Sequence, residues 1–120
     1  MQCSLGISEI RERLRTLGIP VTYLCFKTPQ QLPYVVFYEA GTEIKGADHY
    51  NLYRDVEIKI ELYASEKTSK LERKIENLFR DTEIEKECDA VIEQKGSNVI
   101  LTVFAFKTVQ YIEEEENEEI

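Results

Sequence analysis

Asp55-Val56-Glu57-Ile58-Lys59-Ile60-Glu61-Leu62-Tyr63-Ala64 followed by Ser65 to Arg80 is the stretch whose reading decides the fold. In its first half every second residue is apolar. A pleated strand would put Val56, Ile58, Ile60, Leu62 and Ala64 on one face and Glu57, Lys59, Glu61 and Tyr63 on the other. After Ala64 the period changes. Leu71, Ile75, Leu78 and Phe79 recur at helical spacing, and Lys70, Glu72, Lys74, Glu76 and Asn77 fill the opposite side. A strand and a helix laid against one face of a sheet are therefore the central unit. Ser65 and Thr68 are candidate N-caps, and Ser69 with Glu72 has the spacing of a capping box.

Upstream, Ile7, Ile10, Leu14 and Leu17 predict an amphipathic first helix with Arg11, Glu12, Arg13 and Arg15 on its outer side. Gly18-Ile19-Pro20 ends it, because Gly18 can adopt a left-handed closing conformation and Pro20 cannot continue the helix. Val21 to Phe26 reads as a strand, and Lys27 to Pro33, with two prolines, as a loop. Tyr34 to Tyr38 is apolar on both faces, as in a strand covered on both sides. Between Tyr38 and Leu52 the pattern dissolves among Gly41, Gly46, Asp48, His49 and Asn51, predicting an extended loop or arm between two antiparallel strands.

Downstream, Cys88, Ala90 and Ile92 mark a strand, Lys95-Gly96-Ser97-Asn98 a turn, and Val99 to Ile112 the last and longest strand. The expected fold is α+β. A largely antiparallel sheet of about five strands carries two helices on one face, in the order α-β-β-β-α-β-β. The boundaries are one domain over residues 1–112 and an acidic tail over 113–120, expected to be disordered because its charges repel one another.

Composition narrows the function classes. At 120 residues and 42% hydrophobic, with 7 Tyr and 5 Phe, the chain can build one core. The net charge of −8 is uneven: the tail holds six of the 23 acids, leaving 17 against 15 bases in the body. No Lys/Arg stripe suited to a phosphate backbone is present, so specific nucleic-acid binding is not expected. Cys3, Cys25 and Cys88 are odd in number and widely spaced, which argues against a disulfide framework or a structural zinc site and for an intracellular product. No stretch is apolar enough to span a bilayer, so no membrane partner is expected.

Candidate chemistry is sparse. His49 beside Asp48 lacks the further ligands a metal site wants and the nucleophile a triad needs. Glu57 and Glu61 share a strand face with Lys59 between them, which reads as a salt-bridged solvent face rather than a carboxylate pair. The glycines match no phosphate-binding spacing, so no cofactor is expected. Tyr34, Tyr38, Tyr50, Tyr53 and Tyr63 read as core or interface packing. The last strand is apolar on both parities, with Val99, Leu101, Val103 and Ala105 on one and Ile100, Phe104 and Phe106 on the other. Two helices on one face would leave the second face greasy, and the expected cover is another copy of the chain; the rival is a sheet that curls and covers itself.

Leu17-Gly18-Ile19-Pro20-Val21, Leu32-Pro33-Tyr34-Val35-Val36, Ala47-Asp48 with Tyr53, Glu61-Leu62-Tyr63, Lys67, Leu71-Glu72 and Ile75-Glu76 together resemble a family of bacteriophage and prophage proteins. These are the tail-completion or head-tail joining proteins, similar in fold to tail terminators. The resemblance implies a non-enzymatic structural role: a homo-oligomeric ring, typically six-fold, between the head connector and the tail tube. It implies residence in the host cytoplasm during assembly and then in the virion, with DNA passing through the ring. Tyr34, Phe37, Ile44, Asp48, Tyr50, Tyr53, Phe104 and Phe106 are the expected subunit or partner contacts. His49 and the acidic terminus depart from the family pattern. The alternative readings are a small ligand-binding or regulatory α+β domain and a small enzyme, the latter only if His49, Asp48 and a carboxylate such as Glu57 or Glu61 converge in a cleft.

Overall fold

The computed structural model describes residues 4–47 and 50–111. Along the chain run α1 (Ile7–Arg15), β1 (Val21–Tyr23), β2 (Tyr34–Ala47), β3 (Tyr50–Ala64), α2 (Ser69–Leu78), β4 (Glu85–Gln94) and β5 (Ser97–Tyr111). The five strands form one sheet in the order β1-β2-β3-β5-β4. The class and the element order are those expected from the sequence. The sheet is mixed rather than purely antiparallel, because β1 runs parallel to β2, with Val21 opposite Val35 and Tyr23 opposite Phe37.

The period-two pattern of β3 fixes which face is covered. Its Val56, Ile58, Ile60 and Leu62 are fully buried or nearly so. Register then assigns the neighbours: Leu62 faces Val35 and Ile60 faces Phe37 on β2, while Ile58 faces Phe106 and Ile60 faces Phe104 on β5. Ile10 and Leu14 of α1 and Ile75 and Phe79 at the end of α2 join these residues in one core cluster, so both helices cover this same face. Phe79 stacks on Phe106 with centroids 5.2 Å apart. Arg13 ties the two helices together. Its guanidinium donates to both carboxylate oxygens of Asp81 at 2.8 and 3.1 Å and to the Leu78 carbonyl at 2.9 Å, and it lies 5.4 Å over the Phe79 ring. That contact also satisfies a carbonyl at the C-terminus of α2.

Three local expectations are corrected. The strand expected over residues 21–26 stops at Tyr23, because Leu24 takes a left-handed φ of 70° and turns the chain away. Glu72 does not cap α2; Thr68 is the N-cap and makes no side-chain cap bond, while the Glu72 carboxylate goes to Lys67 and Lys86. The region expected as a loop from Tyr38 to Leu52 is instead strand on both sides of residues 48 and 49. Thr42 faces Val56, Ile44 faces Arg54 and Lys45 faces Tyr53, with irregularities at Glu39/Gly41 and Lys45/Gly46. Its polar, glycine-bearing composition hid backbone pairing that needs no side-chain pattern.

The sheet is not equally wide along its length. β1 pairs only with residues 35–37 of β2, and β4 accompanies β5 only as far as Ala105. From there to Tyr111 the sheet narrows to β2, β3 and β5, a three-stranded extension that contributes to overall extents of 53 × 32 × 23 Å.

Candidate functional site

The face opposite the helices is not greasy, and the expectation of an uncovered apolar patch is corrected. Along β3 it carries Tyr53, Asp55, Glu57, Lys59, Glu61 and Tyr63, and polar side chains dominate its centre. Val36, Val103, Ala105 and Val109 also point to this face, yet each is at most 8% exposed. Register explains their burial. Val36 and Val103 both face Glu61, Ala105 faces Lys59, and Val109 faces Asp55, so short side chains sit between long ones. The exposed large apolar residues among those described are Leu24, Ile44, Val91 and Tyr111, scattered over different elements.

At the wide end of this face, aromatic and carboxylate groups converge. Phe26 packs edge-on against Tyr34, which stacks on Tyr63 with centroids 4.9 Å apart. The Tyr63 and Tyr38 hydroxyls each donate to one oxygen of Glu61 at 2.6 Å. Burial, then the Glu61 bond, pushes the Tyr38 phenol up to about 12 and raises Tyr63 in the same direction, so both remain hydrogen-bond donors. Lys59 does not pair with Glu57 or Glu61, as sharing their strand face had suggested; it reaches Glu87 on β4 at 3.0 Å. β5 lies between the two strands and places the small Ala105 opposite Lys59, so the long lysine side chain reaches over it to Glu87 at the irregularity of β4.

A second cluster lies on the helix side, at the β4 edge. Glu72 of α2 holds the Lys67 ammonium at 2.8 Å and the Lys86 ammonium at 3.3 Å. Asp89 holds the same two at 3.2 and 3.0 Å and accepts a bond from the Thr102 hydroxyl at 2.9 Å. The Lys86 ammonium beside it, then the Thr102 hydroxyl, holds the Asp89 carboxyl down at about 2, below its ordinary 3.8. A carboxyl depressed in the folded state stabilises above its unfolded pKa, and that contribution is lost as pH falls through the folded one. The stability difference between the protein and Asp89→Asn is therefore expected to be constant above pH about 5 and to shrink from about 4 toward 2. Urea unfolding of both proteins across that range measures it. A difference independent of pH would show that Asp89 is not held by charge. The side chain is 38% exposed, so solvent screening keeps the effect modest.

The eight expected contact residues divide sharply. Phe37, Phe104 and Phe106 are core side chains beneath the helices, 0%, 0% and 3% exposed, and cannot form a contact surface; the correction follows from their sharing the parity of Val56 to Leu62. Tyr34 belongs to the aromatic cluster of the open face. Tyr53 lies 6.2 Å from Tyr111 near the end of the extension, and Ile44 there is 55% exposed. Asp48, like His49, lies outside the described residues, and so does the side chain of Tyr50. The expected acidic tail lies outside them as well. Among the described residues no three His, Cys, Asp or Glu side chains converge as a metal would require, and no helix is long and apolar enough to cross a membrane.

What sequence reasoning missed is the pairing of Tyr38 and Tyr63 on Glu61. The signal was present as tyrosines of matching parity on two neighbouring strands, but only register brings them to one carboxylate. No family model and no curated protein matches the chain.

Proposed function

We propose that the protein is a structural assembly subunit of a bacteriophage or prophage particle, a head-tail joining or tail-completion component that works as one member of a ring. The observation that supports this reading best is the three-stranded extension. It carries the free edge of β2 beyond β1, and it holds two of the four exposed large apolar residues among those described, Ile44 and Tyr111. Strand edges and apolar residues carried away from the core are what a neighbouring subunit can grip, and ring contacts of this kind join two different surfaces of one protomer. The resemblance of the sequence to tail-completion proteins is what points to such a particle; the extension offers a means of contact.

Register shows how to test the extension without disturbing the body. Glu43 faces Asp55, so replacing residues 44–54 by Asn-Gly closes a two-residue hairpin between natural partners. Sedimentation velocity over a wide concentration range is expected to show the intact protein associating and the shortened one remaining monomeric, with similar far-ultraviolet dichroism. Ile44→Asp should weaken association while changing stability by less than about 0.5 kcal/mol, as for other exposed positions. An intact protein that stays monomeric at every concentration, or equal association of both forms, would remove the extension from the account.

A further inference from the structure

The extension leaves one edge set back in a recess. β4 ends alongside Ala105, while β5 runs on to Tyr111, so the place where β4 would continue is empty of strand among the described residues. A cavity of about 420 Å³ occupies it, with Glu57, Glu85, Glu87, Lys107 and Val109 on its open-face side and Thr82 and Phe106 toward the helices.

The direction of the backbone groups along this edge follows from the β4–β5 hairpin. Lys95 and Gly96 form its two-residue turn, with φ of 50° and 80°, so the flanking Gln94 and Ser97 exchange both backbone bonds. Alternation along an antiparallel ladder then makes the odd-numbered residues of β5 point their N–H and C=O groups toward β4, and the even-numbered ones toward β3. Beyond Ala105, the odd residues Lys107, Val109 and Tyr111 therefore aim their backbone groups into the recess.

We propose that this edge takes an extended segment of a partner protein as an added strand, and that the segment alternates basic and small apolar or hydroxyl residues. The occupant follows from charge. On the open-face side the recess is lined by Asp55, Glu57, Glu85 and Glu87 against the single Lys107. Lys45 and Lys59 pair Asp55 and Glu87, while Glu57 and Glu85 have no ion-pair partner among the described residues. The six acids from Glu113 to Glu119 follow in the chain directly after β5. Side chains of an added strand would alternate between this acidic side and the side of Phe106 and Thr82, which sets the alternation required of the partner. The outer edge of β4 is a poorer template, because Glu85, Lys86, Glu87, Asp89 and Glu93 crowd it with mixed charge. The inference stands whether or not the protein forms a ring.

The test uses the full chain and a blocked peptide of sequence Lys-Val-Lys-Thr-Lys-Val. Fluorescence anisotropy should show binding that weakens with added salt, and hydrogen exchange should slow at the amides of Lys107, Val109 and Tyr111. Lys107→Pro removes one edge donor at an exposed position and should weaken binding about tenfold. The double variant Glu57→Gln/Glu85→Gln should weaken it several-fold and decides the matter should the proline variant not fold. Absence of binding, binding unchanged in a folded Lys107→Pro, or equal binding of a peptide with Glu in place of Lys would overturn the proposal. So would slow exchange at these amides in the dilute free protein, or slowing that grows with protein concentration alone, which would give the edge to a second copy.

Discussion

Truncating Phe104 to alanine is expected to destabilise the protein by about 3–5 kcal/mol, the cost of removing a large, fully enclosed aromatic ring and leaving a cavity that its neighbours only partly fill. Phe104 is 0% exposed and lies in the middle of β5, opposite Ile60 of β3 and Lys86 of β4. Helices from two separate parts of the chain close over it, with Ile10, Leu14, Ile75 and Phe79 in the same cluster. For a domain whose total stability is on the order of 5–15 kcal/mol, the loss is a large share. Urea unfolding should show a lower midpoint with little change in slope. The result also separates two placements of this residue. A contact-surface Phe104 would cost association and leave unfolding almost untouched. A loss of stability below about 1 kcal/mol would therefore place the ring outside the core.

Replacing Glu72 by alanine is the second large effect, expected at about 2–3 kcal/mol. Breaking a buried ion pair by removing one partner costs about 3–5 kcal/mol when both charges are enclosed. Here the carboxylate is 7% exposed, but Lys67 and Lys86 are 48% and 35% exposed, so water takes up part of what they lose. Without Glu72 the two ammonium groups would share Asp89 alone. The first turn of α2 would also lose its only acid, which favours the positive pole of the helix dipole. Glu72→Gln keeps the shape and should cost less. Removing Lys86 as well, as Lys86→Met, should recover part of the loss, so a double-mutant cycle is expected to show the two changes to be non-additive. Strict additivity would mean that the four charges do not act as a network.

The clusters have different consequences for the protein. The Glu72 and Asp89 cluster joins α2 to the last hairpin, and Arg13 joins α1 to the end of α2, so each helix is fastened at a point its apolar stripe does not reach. The Glu61 cluster orders the open face at its wide end, while the narrow end carries the strand edges proposed to receive partners. The charge clusters and the stacked aromatics lie where the sheet is five strands wide, and the proposed contacts where it is three.

How much of this was legible in the chain depends on whether a feature is local. Alternation from Val56 to Ala64, the helical stripe through Leu71, Ile75 and Phe79, and the Gly18 stop each follow from the geometry of a few consecutive residues, and they suffice for the class, the element order and the covered face. Parity even separates Phe104 and Phe106 from Val103 and Ala105, though not which set the helices cover. Register decided the rest. It turned the glycine-bearing stretch after Tyr38 into paired strand and made β1 parallel to its neighbour. It also gave Lys59 to Glu87, brought two phenols to Glu61, and left β5 longer than β4. A strand's own sequence says which side each residue takes, but its partners across the sheet are chosen by the packing of the whole, since sliding a strand changes every neighbour while leaving its pattern intact.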